Sequence, residues 1–208
     1  MTETSVPFYP TSEYQAHESL EQTLLKVASL LSIKVCDVPQ YYLLNDKELY
    51  ASNFLDETLY IRSLPDKLVL SNPPFFVDVK TLTRKDTGNM SIELSSFYFN
   101  LQRCKIGLPI FYLYSTESQG CRLFSPVWNS PSAIFIQPKW EGHQRKIFQK
   151  YASMIKDYFE IHWSYNIPIQ ETETAGSQDP FILIPIPSFE KSFDLVQFLN
   201  FRRTKVKS

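Results

Sequence analysis

Asp66, Asp78 and Lys80 are the residues of this 208-residue chain whose types and spacing best suit chemistry. They fall within LPDKLVLSNPPFFVDVKT, residues 64–81. Residues 75–82 read as a strand, and alternation sets Phe76, Asp78 and Lys80 on one face, Phe75, Val77 and Val79 on the other. Two charged groups on one face of an otherwise apolar strand are costly to bury without partners. Ser71-Asn72-Pro73-Pro74 is a turn signal, so a strand within 59–70 should fold back on it as a hairpin. With the turn centred near Asn72, Asp66 stands opposite Asp78. Opposed side chains share a face with Cβ atoms roughly 4.5–5.5 Å apart, where like charges repel. A divalent cation between the carboxylates removes that conflict, and hard oxygen ligands suit Mg²⁺ or Mn²⁺. Lys80 would then lie beside the ion. Two carboxylates, a metal and a lysine describe phosphodiester hydrolysis.

The elements that must hold these residues follow from periodicity. Residues 13–33 read as a helix, with Leu20, Leu24, Val27 and Leu31 on one stripe. Glu21 and His17 fall inside that apolar arc. An acid there points to a metal link or to a nearby Lys or Arg partner. A short strand is expected at 41–44. Residues 92–105 read as a second helix with Leu94, Phe97, Leu101 and Cys104 on its packed stripe, and Gln102 beside it. Gly107-Leu108-Pro109 stops it before an apolar strand at 110–114. Further strands are expected near 122–124, 133–136 and 181–186, with helices over 141–159 and 189–199.

A helix between two strands is a crossover, which needs a partly parallel sheet, whereas the turn at 71–74 needs an antiparallel pair. The expected fold class is therefore α/β, a mixed sheet flanked by helices. One domain spans 1–208, with a core over 13–115 and an α+β extension over 116–208.

At this point the residues resemble a family. Pro65-Asp66 followed by Asp78-Val79-Lys80, with a helical Glu upstream and a helix and strand downstream, is similar to the PD-(D/E)XK nuclease superfamily. The resemblance covers roughly 13–115 and implies the restriction-endonuclease-like αβββαβ core. It also implies Asp66, Asp78 and the Val79 carbonyl as metal ligands, with Glu21 as the helical acid that binds a metal directly or through water; His17 is a further site candidate from its place in the apolar arc alone. Lys80 would orient and help deprotonate the attacking water, or stabilise charge on the phosphate, and Gln102 would position the lysine or the water. Position 78 holds Asp where Glu is commoner. Basic residues nearby (Arg62, Lys67, Arg84, Lys85, Arg103 and Lys105) would hold phosphates, setting affinity without reading sequence.

The activity implied is a Mg²⁺-dependent DNA endonuclease, in a restriction, DNA-processing or transposition setting, with a partner protein or as a homodimer. The alternative keeps the fold without the chemistry, as a nucleic-acid-binding or protein-assembly module.

Composition agrees with a folded, ligand-binding chain. It is 43% hydrophobic and 15% aromatic, which excludes a disordered polymer. Formal net charge is −1, but residues 1–60 sum to −6, 61–156 to +7 and 157–208 to −2. A basic middle suits an anionic ligand. Five glycines and no Gly-rich phosphate loop argue against P-loop and dinucleotide enzymes. Cys36, Cys104 and Cys121 fit no zinc or disulfide framework, so a reducing, cytoplasmic setting is expected, with no membrane span.

Overall fold

The computed structural model describes residues 12–38, 63–81, 88–116, 120–126, 133–138, 143–163, 167–172 and 180–204. The expected strand at 41–44 and Arg62, Arg84 and Lys85 lie outside the described residues. The chain is a mixed α/β structure. Its first helix, α1 (Ser12–Leu30), buries Leu24 and Ala28. It ends earlier than periodicity suggested. Ser32 adopts φ of 56°, its amide bonds back to Ser29 O, and the Ile33 amide bonds to Ala28 O. That is a Schellman closure, and it releases the chain into β1 (Lys34–Asp37), a strand the sequence pattern had not suggested.

The strands β2 (Lys67–Leu70) and β3 (Phe75–Val79) form the expected antiparallel hairpin. Lys67 lies opposite Val77 and Leu68 opposite Phe76. Carried one residue further, this register sets Asp66 against Asp78. β4 (Asn89–Glu93) leads without a loop into α2 (Leu94–Lys105), and β5 (Ile110–Thr116) then returns parallel to β3. Ile92, expected inside the helix, belongs instead to β4. There it pairs with the later strand β9 (Phe181–Pro185), with Met90 and Ile92 facing inward.

Two sheets result. The first has the order β1-β2-β3-β5-β6-β10, where β6 is Gly120–Phe124 and β10 is Ser192–Asp194. The second has the order β4-β9-β7-β8, where β7 is Ile134–Pro138 and β8 is Ile169–Thr172. Elements after residue 116 therefore complete both sheets. Residues 189–194, expected to open the last helix, are not helical, and 192–194 pair with β6 as β10. The helix that follows, α4 (Leu195–Thr204), starts where Asp194 Oδ1 accepts the Gln197 amide.

Each face of the first sheet has its own core. On one, Val69, Phe75, Val77, Val79 and Leu113 pack under Leu24 and Ala28 of α1 and Phe198 and Leu199 of α4. On the other, Tyr112, Tyr114 and Phe124 pack with α2, the second sheet and α3 (His143–Trp163). So α2 lies between layers, buried on more than one side. Among the described residues no helix is long and apolar enough to cross a membrane.

Candidate active site

β3 carries its alternation into the site. Phe75, Val77 and Val79 face α1 and α4, which turns Asp78 towards α2. Asp78 is 4% exposed, and both of its oxygens are engaged. Oδ1 lies 2.8 Å from Lys80 Nζ. Oδ2 accepts from Ser96 Oγ at 3.0 Å and from Asn100 Nδ2 at 2.8 Å. Asn100 Oδ1 in turn accepts from Arg103 Nη1 at 2.9 Å, and that nitrogen also donates to the Ser63 carbonyl. Arg103 thus ties α2 to the residues leading into Pro65-Asp66. Ser96→Ala removes one of the two donors to Oδ2 and should cost about 1–2 kcal/mol, read from urea unfolding.

Asp66 sits where β2 has not yet begun. The Val79 amide points towards β2 beyond the last ladder pair, and Asp66 Oδ2 accepts it at 2.7 Å in place of a backbone carbonyl. The Asp66 carbonyl meanwhile accepts from Val38, tying the residue to the end of β1. His17 Nε2 lies 3.8 Å from Asp66 Oδ2, and its Nδ1 lies 3.5 Å from Glu21 Oε1. The i, i+4 spacing on α1 places both over the open end of β2.

These contacts set the protonation states. Burial opposes ionisation of Asp66, but the neighbouring His17, the Lys80 charge and the Val79 amide together hold its pKa below the usual value. Burial pushes Asp78 up, and the neighbouring Asp66 charge adds to this, against the pull of Lys80. Lys80 is desolvated, yet Asp78, Glu93 and Asp66 outweigh that and keep it a cation. Its Nζ lies 5.9 Å over the Tyr112 ring, whose phenol burial keeps protonated.

The neighbouring Asp66 carboxylate raises His17 above 6.5, against its own burial. A raised folded pKa contributes stability that is fully present below 6.5 and is lost as pH rises through the folded value. Wild-type protein should therefore lose part of its urea midpoint on passing from slightly acidic to slightly alkaline pH. His17→Gln should flatten that step.

Three residues expected to serve chemistry or phosphate are held otherwise. Glu21 Oε2 lies 2.7 Å from Lys67 Nζ, which also lies 2.7 Å from Asp37 Oδ1. Lys67, expected to hold phosphate, is thus a buried cation between two carboxylates, and Glu21 has the lysine partner its apolar surroundings demand. Arg103 is 3% exposed within the α2 network and does not face solvent. Gln102 lies across the helix from Asn100, so Asn100 is the amide that reaches Asp78. Lys105 is exposed at the end of α2. Ser96, Asn100 and Arg103, at i, i+4 and i+7, form a polar stripe that the sequence displays but that the apolar stripe overshadowed.

Among the described residues no group of three or more His, Cys, Asp and Glu side chains converges as a metal cage. The donor chemistry fits a divalent cation nonetheless. Asp66 and Asp78 are hard oxygen donors whose charges raise one another's cost, and a cation would relieve it. Compared with known proteins, the chain matches no family model, no curated protein and no solved structure.

Proposed function

We propose that this protein is a metal-dependent endonuclease acting on DNA phosphodiester bonds, built on a PD-(D/E)XK-like core. The observation that carries this reading is the meeting of Asp66, Asp78 and Lys80 at the adjoining ends of β2 and β3, with Lys80 2.8 Å from Asp78. The parallel return of β5 through α2 and the helical Glu21 on α1 are in keeping with the same reading. Asp66, Asp78 and the Val79 carbonyl would hold Mg²⁺ or Mn²⁺, which supplies charge stabilisation and an acidified water.

The chain's own groups do the rest. Lys80 is kept protonated by its acidic neighbours, so it acts as a cation facing the phosphate and stabilises developing negative charge. It is not the base. Ser96, Asn100 and Lys80 hold Asp78 in one rotamer, and the Val79 amide does the same for Asp66, so the carboxylates are oriented before substrate arrives. His17 carries the proton that exchanges nearest neutral pH, against Asp66.

A second reading has its own support: both Asp78 oxygens are satisfied by protein groups, as a purely structural cluster would be. The fold would then serve as a nucleic-acid-binding or assembly module. Incubating the protein with Mn²⁺ or Mg²⁺ and supercoiled, linear, single-stranded and branched DNAs decides between them. Cleavage that needs metal and disappears in Asp78→Ala supports the nuclease. DNA binding without cleavage, and no heat on titrating Mn²⁺, supports the module.

A further inference from the structure

Lys80 reaches the site on a long side chain, and two groups hold its end. One is Asp78 Oδ1, 2.8 Å from Nζ. The other is Tyr112, whose ring centroid lies 5.9 Å from the same nitrogen. The strand ladder explains the second contact. Tyr112 on β5 is the parallel partner of Asp78, and the Lys80 amide donates to the carbonyl of the next residue, Leu113. Tyr112 therefore stands beside the carboxylate on the α2 face of the sheet, and the lysine turns back over its ring.

That ring is fixed in place. It is fully buried and meets the Phe189 ring in a T-shaped contact, centroids 6.5 Å apart. Its hydroxyl is buried beside Asn100 without a hydrogen bond of ordinary geometry. What Tyr112 offers the site is thus the ring and not the phenol. The two holds on Lys80 differ in what they survive. Asp78 Oδ2 is taken by Ser96 and Asn100, so Oδ1 is the oxygen left for a divalent cation, and it is the one that holds Lys80. A carboxylate oxygen shared with a divalent cation attracts an ammonium less. The attraction of an ammonium to a ring face does not pass through that oxygen.

We propose that Tyr112 is a positioning residue, its ring holding the Lys80 ammonium towards the substrate phosphate when Asp78 is shared with a metal. The catalytic half of this inference rests on the nuclease reading, whereas the contact between ring and ammonium does not.

NMR on the full chain with ¹³C-labelled lysine tests the contact, the Lys80 signal being assigned by its absence in Lys80→Arg. A ring face shifts nuclei above it upfield. The Lys80 ε-methylene should therefore lie upfield of its free-chain position in EDTA and remain so in saturating Mg²⁺. The shift should persist in Tyr112→Phe and vanish in Tyr112→Leu. Cleavage tests the consequence. Tyr112→Leu should lower kcat about tenfold with KM for DNA little changed, and Tyr112→Phe should restore it. In a Lys80→Met background Tyr112→Leu should lower kcat no further, because the ring acts through the lysine. Should Tyr112→Leu fail to fold, pentafluorophenylalanine at position 112 carries the test, since it keeps the ring's shape and reverses its charge pattern. A wild-type Lys80 signal at its free-chain position, or one that returns there in Mg²⁺ or is unmoved by losing the ring, overturns the proposal. So does an equal loss of kcat in the Lys80→Met background, which would mark Tyr112 as a packing residue. No cleavage by the wild-type protein overturns the nuclease reading and the catalytic half of the proposal with it, while the Lys80 signal still decides the contact.

Discussion

Lys80→Met should destabilise the protein by about 3 kcal/mol at neutral pH and lower metal-dependent cleavage about 10²–10³-fold. The stability loss arises because the substitution leaves Asp78 buried, charged and without its cation. Methionine keeps the apolar stem, so lost packing is a small part. The pH dependence has a definite sign. Asp78 already titrates above 3.8, and Lys80 is the largest influence pulling it down. Without Lys80 the folded pKa rises further, and the folded state binds a proton more readily than the unfolded chain. The variant's deficit is then small near pH 4 and grows as pH rises through the new folded value. Denaturant midpoints from pH 4 to 8 read this directly. A second change, Asp78→Asn, should restore part of the stability at neutral pH but none of the cleavage. Equal deficits at pH 4 and pH 8 would mean that the Asp78 charge is not what the variant strands.

Arg103→Met should cost about 3 kcal/mol, because two acceptors, the Ser63 carbonyl and Asn100 Oδ1, lose their donor inside the protein. Its effect should also reach the site. Asn100 is held by Arg103 on one side and holds Asp78 on the other, so a loosened amide lets the Asp78 carboxylate rotate. Cleavage in Arg103→Met should fall mainly in kcat, with KM for DNA little changed, since Arg103 is buried and touches no solvent-facing phosphate. A rise in KM alone would return Arg103 to the phosphate-binding role suggested by its charge.

Much of the site was legible because strands impose a short, strict rule. Two-residue alternation and one turn signal were enough to pair Asp66 with Asp78 and to turn Phe75, Val77 and Val79 the other way. The first helix was legible for the same reason, save its end, where Ser32 takes a positive φ that serine seldom signals. What escaped depends on who packs against whom. Ile92 reads as helix until β9, some ninety residues on, claims it as a strand partner. The Ser96-Asn100-Arg103 stripe reads as solvated until a helix is known to lie between two layers. Lys67 reads as a free cation until α1 brings Glu21 across β2 and β1 brings Asp37 alongside.

The pairing of β4 with β9 also fixes when the site can form. Residues 89–93 must wait for residues 181–185, and β6 must wait for β10 at 192–194. During synthesis the Asp66–Asp78 hairpin emerges early and locally, but α2, which supplies Ser96 and Asn100, is anchored only after the last strands have left the ribosome. Distant pairings of this kind slow folding, because chain entropy is lost before contacts repay it. Until then the two acidic residues lack an anchored α2, and the apolar face of β3 has α1 but not α4 over it, a state in which a nascent chain is open to chaperones and proteases. The surroundings of Asp78 are therefore completed last, and a chain ending between Lys80 and β9 would carry Asp66, Asp78 and Lys80 without the strand that pairs with β4.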